Sequence, residues 1–245
     1  MKHIAIIAGA GALASAAFGQ PLPTERYLPL DVAIEAATAA LAAGAVRTVL
    51  VRESDVMSFG TVLDDARAAV TYDRMVPPAS FADYRKWLEH QIEVLNHAIE
   101  GIPAERIRYH VCWGSWPGPH TTDVPLQDIV DILMKANVGA FLIEGANPRH
   151  EHEWIVWRDT VKLPDDKVLI TGILNTRTNY VEHPELVAQR INRYARTVGK
   201  ERVIAGADCG FSSRASYHPE VHPTVVVEKF KALAQGAAIA TDRLW

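Results

Sequence analysis

The chain has 245 residues, 49% of them hydrophobic and 22% charged, with a formal net charge of −4 at pH 7. That is globular composition with ample material for a core, either one large α/β domain or two small ones. The absence of a basic or arginine-rich run speaks against nucleic acid, and two cysteines exclude a disulfide-dense secreted scaffold, so reduced thiols and a cytoplasmic location are expected.

In chain order, Met1-Lys2-His3 leads into an apolar stretch, Ile4–Phe18, with Ala14-Ser15-Ala16 as a small-residue cleavage pattern. It is similar to a weak secretory signal, and it is too short and too rich in Gly and Ala to span a bilayer well. The favoured reading is a buried strand over 3–8, then a Gly-rich turn and a small-residue helix. Gly9-Ala-Gly11-Ala-Leu-Ala14 fits a loose dinucleotide fingerprint, but no acidic residue follows about 20 positions on at a second strand end. Further short apolar strands are predicted over 46–52, 60–64, 106–112, 139–144, 167–174 and 202–207. They read as parallel strands covered on both faces.

Helices are predicted between most of them. The helix over 80–100 opens on Ser80 and Asp83, a capping-box-like pair, and carries Phe81, Tyr84, Trp87, Leu88, Ile92, Leu95 and Ile99 at helical spacing. A helix over 125–137 starts near Pro125, with Leu126, Ile129, Val130 and Leu133 toward the core. The helix over 184–198 opens on Pro184 and closes on Gly199, and one over 224–235 stops at Gly236. Repeated strand–helix units favour a TIM-type (β/α) barrel or a doubly wound sheet. In a barrel, functional residues come from the C-terminal ends of strands.

His110 and Cys112 lie two apart on a predicted strand and so share a face. Glu144 and Cys209 each close a later apolar run. Imidazole, carboxylate and two thiolates are a zinc ligand set. Two thiolates and a carboxylate around a divalent ion leave a net charge of about −1. Such a zinc activates water poorly and suits a bound thiolate nucleophile. Taken singly, His110 reads first as a satisfied core histidine and each cysteine as a small buried hydrophobe; the joint placement at strand ends reverses this in favour of metal.

Three segments carry a resemblance. His110-Val-Cys-Trp-Gly-Ser-Trp-Pro-Gly-Pro-His120, Glu144-Gly-Ala-Asn-Pro-Arg-His-Glu-His-Glu-Trp154 and Gly206-Ala-Asp-Cys-Gly-Phe-Ser-Ser-Arg214 resemble the cobalamin-independent methionine synthase family, and its shorter single-barrel relatives more closely. The resemblance covers about residues 60–245, and residues 1–59 carry no motif of the family. It implies one zinc-binding α/β barrel domain over 1–245, shortened or incomplete at its N-terminus, and zinc at the C-terminal mouth on His110, Cys112, Glu144 and Cys209. It implies methyl or alkyl transfer to a thiol, similar to the homocysteine S-methyltransferase of methionine biosynthesis, with a folate as one form of donor. Asp64 in Leu63-Asp64-Asp65-Ala66 matches the acidic element that holds an amino-acid thiol, although Ala66 replaces the usual proline; the other reading of Asp64 and Asp65 is a helix N-cap. A barrel with an open edge would invite a homodimer.

Other polar residues follow the predicted strands. Trp113, Trp116 and His120 follow the first ligands and would line the substrate mouth. Asn147, Arg149, His150, His152 and Glu153 follow Glu144, with Arg149 suited to a substrate carboxylate and His150 or His152 to a proton. Asn175 and Arg177 close the strand over 167–174, Asp208 and Arg214 flank the last ligand, and His218 and His222 read as surface or loop residues. The expected catalytic residues are Asp64 and His150, and the expected substrate contacts are Asp64, Trp116, Arg149 and Asn175. The alternative is a polar loop network without catalysis, in a zinc-binding protein that is inactive or regulatory. A metal hydrolase, with His150 or Glu153 as base, is less favoured because two thiolates reduce the acidity of bound water.

Overall fold

The computed structural model describes residues 49–52, 80–114, 120, 123–211 and 221–245. The expected strands over 3–8 and 60–64, the Gly-rich turn, the 1–19 segment, Asp64, Asp65, Trp116, Arg214 and His218 lie outside the described residues. Five strands are described: β1 (Val49–Arg52), β2 (Ile107–Val111), β3 (Ala140–Ile143), β4 (Val168–Leu174) and β5 (Val203–Ala207). They follow one another in the order β1-β2-β3-β4-β5. The β1–β2 and β4–β5 pairs are parallel. Parallel neighbours need crossovers, and helices supply them: α1 (Phe81–Ala98), α2 (Val130–Leu133), α3 (Trp154–Asp159), α4 (Pro184–Val198) and α5 (Pro223–Leu244).

The chain divides into two compact units; among the described residues one runs through Phe141 and the other from Leu142 onward. In the first, α1 starts on the expected capping box: the Ser80 hydroxyl accepts from the Asp83 N–H, and the Asp83 carboxylate accepts from the Ser80 N–H. Tyr84, Leu88, Ile92 and Leu95 form its buried stripe. Gly101, at φ +83°, turns the chain away in a conformation that suits glycine. Asn96 ties α1 to the end of the next helical segment, donating to the Lys135 carbonyl at 2.9 Å and accepting from the Asn137 N–H at 2.7 Å.

The helix expected over 125–137 is instead two short pieces, a 3-10 turn over Leu126–Asp128 and the single α-turn α2. Ile129, at φ −130°, breaks the helical path between them, and no side chain caps either start. The expected apolar positions Leu126, Ile129, Val130 and Leu133 are all buried. The burial pattern is served by two turns as well as by one helix.

In the second unit, β4 and β5 form the core with α4 and α5 against them. The β4–β5 register runs from Leu169 opposite Val203 and slips between Gly172 and Leu174. Pro184 at the start of α4 and Gly199 at its end are as the sequence indicates. The helix expected over 224–235 is longer: α5 continues through Gly236 to Leu244. Gly236 is a contact residue rather than a stop. A Cβ there would lie 2.3 Å from Val187 Cγ1 and 2.7 Å from the Pro184 carbonyl oxygen, so the missing side chain lets α4 and α5 approach closely. No helix among the described residues is long and apolar enough to cross a membrane.

Candidate metal centre

In the first unit, His110 is the fourth residue of β2 and Cys112 the first residue beyond it. Alternation along an extended chain puts both on one face. They are 5% and 8% exposed. The opposite-facing Tyr109 is buried edge-on against Phe141, at 6.2 Å between ring centres. The next residue, Trp113, is fully buried and donates its indole N–H to the Val124 carbonyl at 2.7 Å. Trp113 thus anchors the segment after β2 in the core instead of lining a mouth. His120 Nδ1 lies 2.9 Å from Asp123 Oδ1, a local, half-buried pair.

In the second unit, Glu144, Asn175 and Cys209 follow the ends of β3, β4 and β5. Glu144 is 4% exposed. One of its carboxylate oxygens, Oε2, accepts from Asn147 Nδ2 at 3.0 Å, and the other, Oε1, lies 3.5 Å from Cys209 Sγ. Neither cysteine of the chain is in a disulfide. Asn147 also shapes the loop after β3: its side-chain oxygen accepts from the Arg149 N–H, and its carbonyl accepts from the N–H groups of His150 and Glu151. Buried His150 places Nδ1 3.0 Å from Oε2 of buried Glu153, which orients the imidazole. His152 is exposed.

The Asn175 N–H donates to Glu182 Oε1 at 2.7 Å, and Asn175 Oδ1 accepts from the Arg177 N–H at 2.8 Å. Glu182 in turn pairs with Lys229 of α5 at 2.8 Å, with both side chains wholly buried. Sequence reasoning missed this pair. Its signal was present, since Lys229 lies on the same helical face as Ala232, Leu233, Gly236, Ala237 and Ala240, all of them buried. His222 is exposed and caps α5 through a bond from the Thr224 N–H.

Asp208, just before Cys209, points inward. Its Oδ1 accepts from the N–H groups of Gly145 and Ala146, both at 2.9 Å, the two residues that follow Glu144. Oδ2 has no hydrogen-bond partner among the described residues. Burial pushes its carboxyl up to about 6, against the two backbone N–H bonds that favour the anion. Burial, with the Asp208 charge, also pushes the Tyr194 phenol upward.

The donor chemistry fits zinc. A thiol facing a buried carboxylate at 3.5 Å becomes two repelling anions once the thiol ionises, and a divalent cation between them relieves that repulsion. In the first unit, the buried imidazole of His110 and thiol of Cys112 are likewise of the donor types that zinc takes.

No protein-family model matches the chain. The chain is 23% identical over 199 residues to 2-hydroxypropyl-CoM lyase from Xanthobacter autotrophicus, a match that covers 71% of this chain and 50% of that one. Its fold is similar to a B12-independent methionine synthase from Shewanella sp. W3-18-1 solved with selenomethionine (TM-score 0.60, 19% identity, 88% of this chain and 54% of that one). A putative vitamin-B12 independent methionine synthase from Listeria monocytogenes is also similar (TM-score 0.51, 16% identity, 88% and 54%). The chain spans about half the length of each protein it matches. These likenesses show a shared α/β fold.

Proposed function

We propose that this chain is a zinc-dependent enzyme that transfers a methyl or other alkyl group to a thiol, on a TIM-type (β/α) barrel. The observation that carries the reading is the Glu144–Cys209 contact, a buried carboxylate 3.5 Å from a thiol, each just beyond the end of a strand. His110 and Cys112 complete the ligand set in this reading. The methionine synthases and the CoM lyase to which the chain is similar support chemistry at sulfur.

Bound zinc supplies a Lewis acid that lowers the pKa of a substrate thiol. The residues divide the remaining tasks. Asn147 holds Glu144 through the carboxylate oxygen Oε2, so the other oxygen is kept toward Cys209. His150, held against Glu153, takes or gives the proton in this reading. Arg149 and Asn175, with Asp64 and Trp116, are the substrate contacts in this reading. The partners are a small-molecule thiol and an alkyl donor, a folate among them, acting in the cytoplasm. The alternative reading is a zinc-binding protein without transferase activity, inactive or regulatory.

Metal analysis and X-ray absorption at the zinc edge separate the two. The purified protein is expected to hold one zinc per chain, and Cys112→Ser or Cys209→Ser to weaken its binding by about 100-fold or more. Added homocysteine is expected to increase the sulfur coordination of the zinc, and no change with any thiol favours the binding-only reading. Zinc-free wild type, or full zinc content in both variants, overturns the ligand assignment.

A further inference from the structure

We propose that Asp208 is a positioning residue that sets the spacing of Glu144 and Cys209 by clamping the backbone after β3 to the backbone after β5. The inference rests on the zinc reading above and names a residue outside its ligand set. Strands β3 and β5 are separated by β4. Two strand spacings are about 9.6 Å, so the ends of β3 and β5 cannot hydrogen-bond to each other directly. Yet Glu144 and Cys209 place donor atoms 3.5 Å apart.

Asp208 bridges the gap. Its own N–H donates to the Leu174 carbonyl at the end of β4, which fixes where its side chain starts. That side chain then crosses β4 to accept the Gly145 and Ala146 N–H groups at 2.9 Å. Glu144 immediately precedes those two N–H groups, and Cys209 immediately follows Asp208. One carboxylate oxygen therefore fixes both backbone segments that carry the facing donors.

The crossing needs an open lane, and Gly172 of β4 provides it. A Cβ at Gly172 would lie 2.1 Å from Asp208 Oδ1 and 2.9 Å from the Gly145 nitrogen. The β4–β5 register slips at the same place, between Gly172 and Leu174. A buried carboxylate with one oxygen lacking a hydrogen bond is costly to the fold, which fits a group retained for the geometry that it imposes.

The test compares Asp208→Ala, Asp208→Asn and Gly172→Ala with wild type. Zinc affinity is read by competition with a chromogenic chelator, and the Gly145 and Ala146 amides by hydrogen exchange. Asp208→Ala and Gly172→Ala are expected to weaken zinc by about 10- to 100-fold and to speed exchange at both amides. Asp208→Asn keeps an acceptor at Oδ1 and is expected to restore most of the affinity and protection. Wild-type affinity in Asp208→Ala, or an Asn variant as weak as the Ala variant, overturns the clamp. Should Asp208→Ala not fold, the Asn and Gly172→Ala variants decide by the same criteria. If the wild type binds no zinc, the zinc reading fails by itself. The clamp then stands or falls on exchange: faster in Gly172→Ala than in Asp208→Asn upholds it, and equal rates overturn it.

Discussion

Lys229 is an ammonium with no exposed surface, and its charge is answered by Glu182 at 2.8 Å, with the Tyr180 ring centre 5.1 Å away. Removing one partner of a buried pair leaves the other charge stranded, and the cost is about 3–5 kcal/mol. Lys229→Met is therefore expected to lower unfolding free energy by that amount in urea titrations. Lys229→Met combined with Glu182→Gln is expected to recover most of the loss, because glutamine stays neutral and still accepts the Asn175 N–H that Glu182 Oε1 holds. If the double variant is no more stable than the single one, the loss comes from packing rather than charge. The same scale shows what the sequence makes legible. His110, Cys112, Glu144 and Cys209 stand out in the sequence as candidate ligands because metal-donor residue types at the ends of apolar runs are an uncommon coincidence of chemistry and pattern. The Glu182–Lys229 pair and the Asp208 bridge are not, because their partners lie 47 and 62–63 residues away along the chain. Only the fold brings them together.

Among the elements, local signals are reliable at helix starts and mixed at helix ends, where Gly199 closes α4 as expected and Gly236 does not close α5. Ser80 and Asp83 form the capping box that their spacing predicts. Ser80→Ala is expected to cost about 1 kcal/mol, read as a lower denaturation midpoint with an unchanged slope. Gly236 reads in sequence as a helix stop, and in the structure it lies where α4 and α5 approach closely. Glycine serves both purposes, and only the presence of Val187 across the interface distinguishes them. Gly236→Ala is expected to cost about 1–3 kcal/mol through overpacking. Pairing it with Val187→Ala is expected to recover part of that cost, as residues in contact do not add. A Gly236→Ala protein as stable as wild type would mean that the helices separate freely. The segment 125–137 failed for another reason: its apolar spacing is satisfied by two short turns around Ile129, and periodicity alone does not count turns.

At the scale of the whole molecule, the parallel strand pairs and their helices follow from the alternation of apolar runs, whereas barrel closure is a property of the complete strand set that no single run encodes. The metal proposal makes its sharpest demand at this scale. A ligand that binds only the folded chain stabilises it by mass action, by about 2.7 kcal/mol at a free concentration 100 times Kd. For a chain of this length, that raises the midpoint of thermal unfolding by about 5–10 °C. Calorimetry of the protein with zinc and with a chelator is expected to show this difference. Cys112 and Cys209 belong to different compact units, so the two serine variants ask separate questions of the same transition. If one zinc ion draws on both thiolates, each variant alone is expected to erase most of the shift. If Cys209→Ser erases it and Cys112→Ser leaves it whole, the metal rests on Glu144 and Cys209 without β2, and the four-ligand assignment is wrong even though the protein binds zinc.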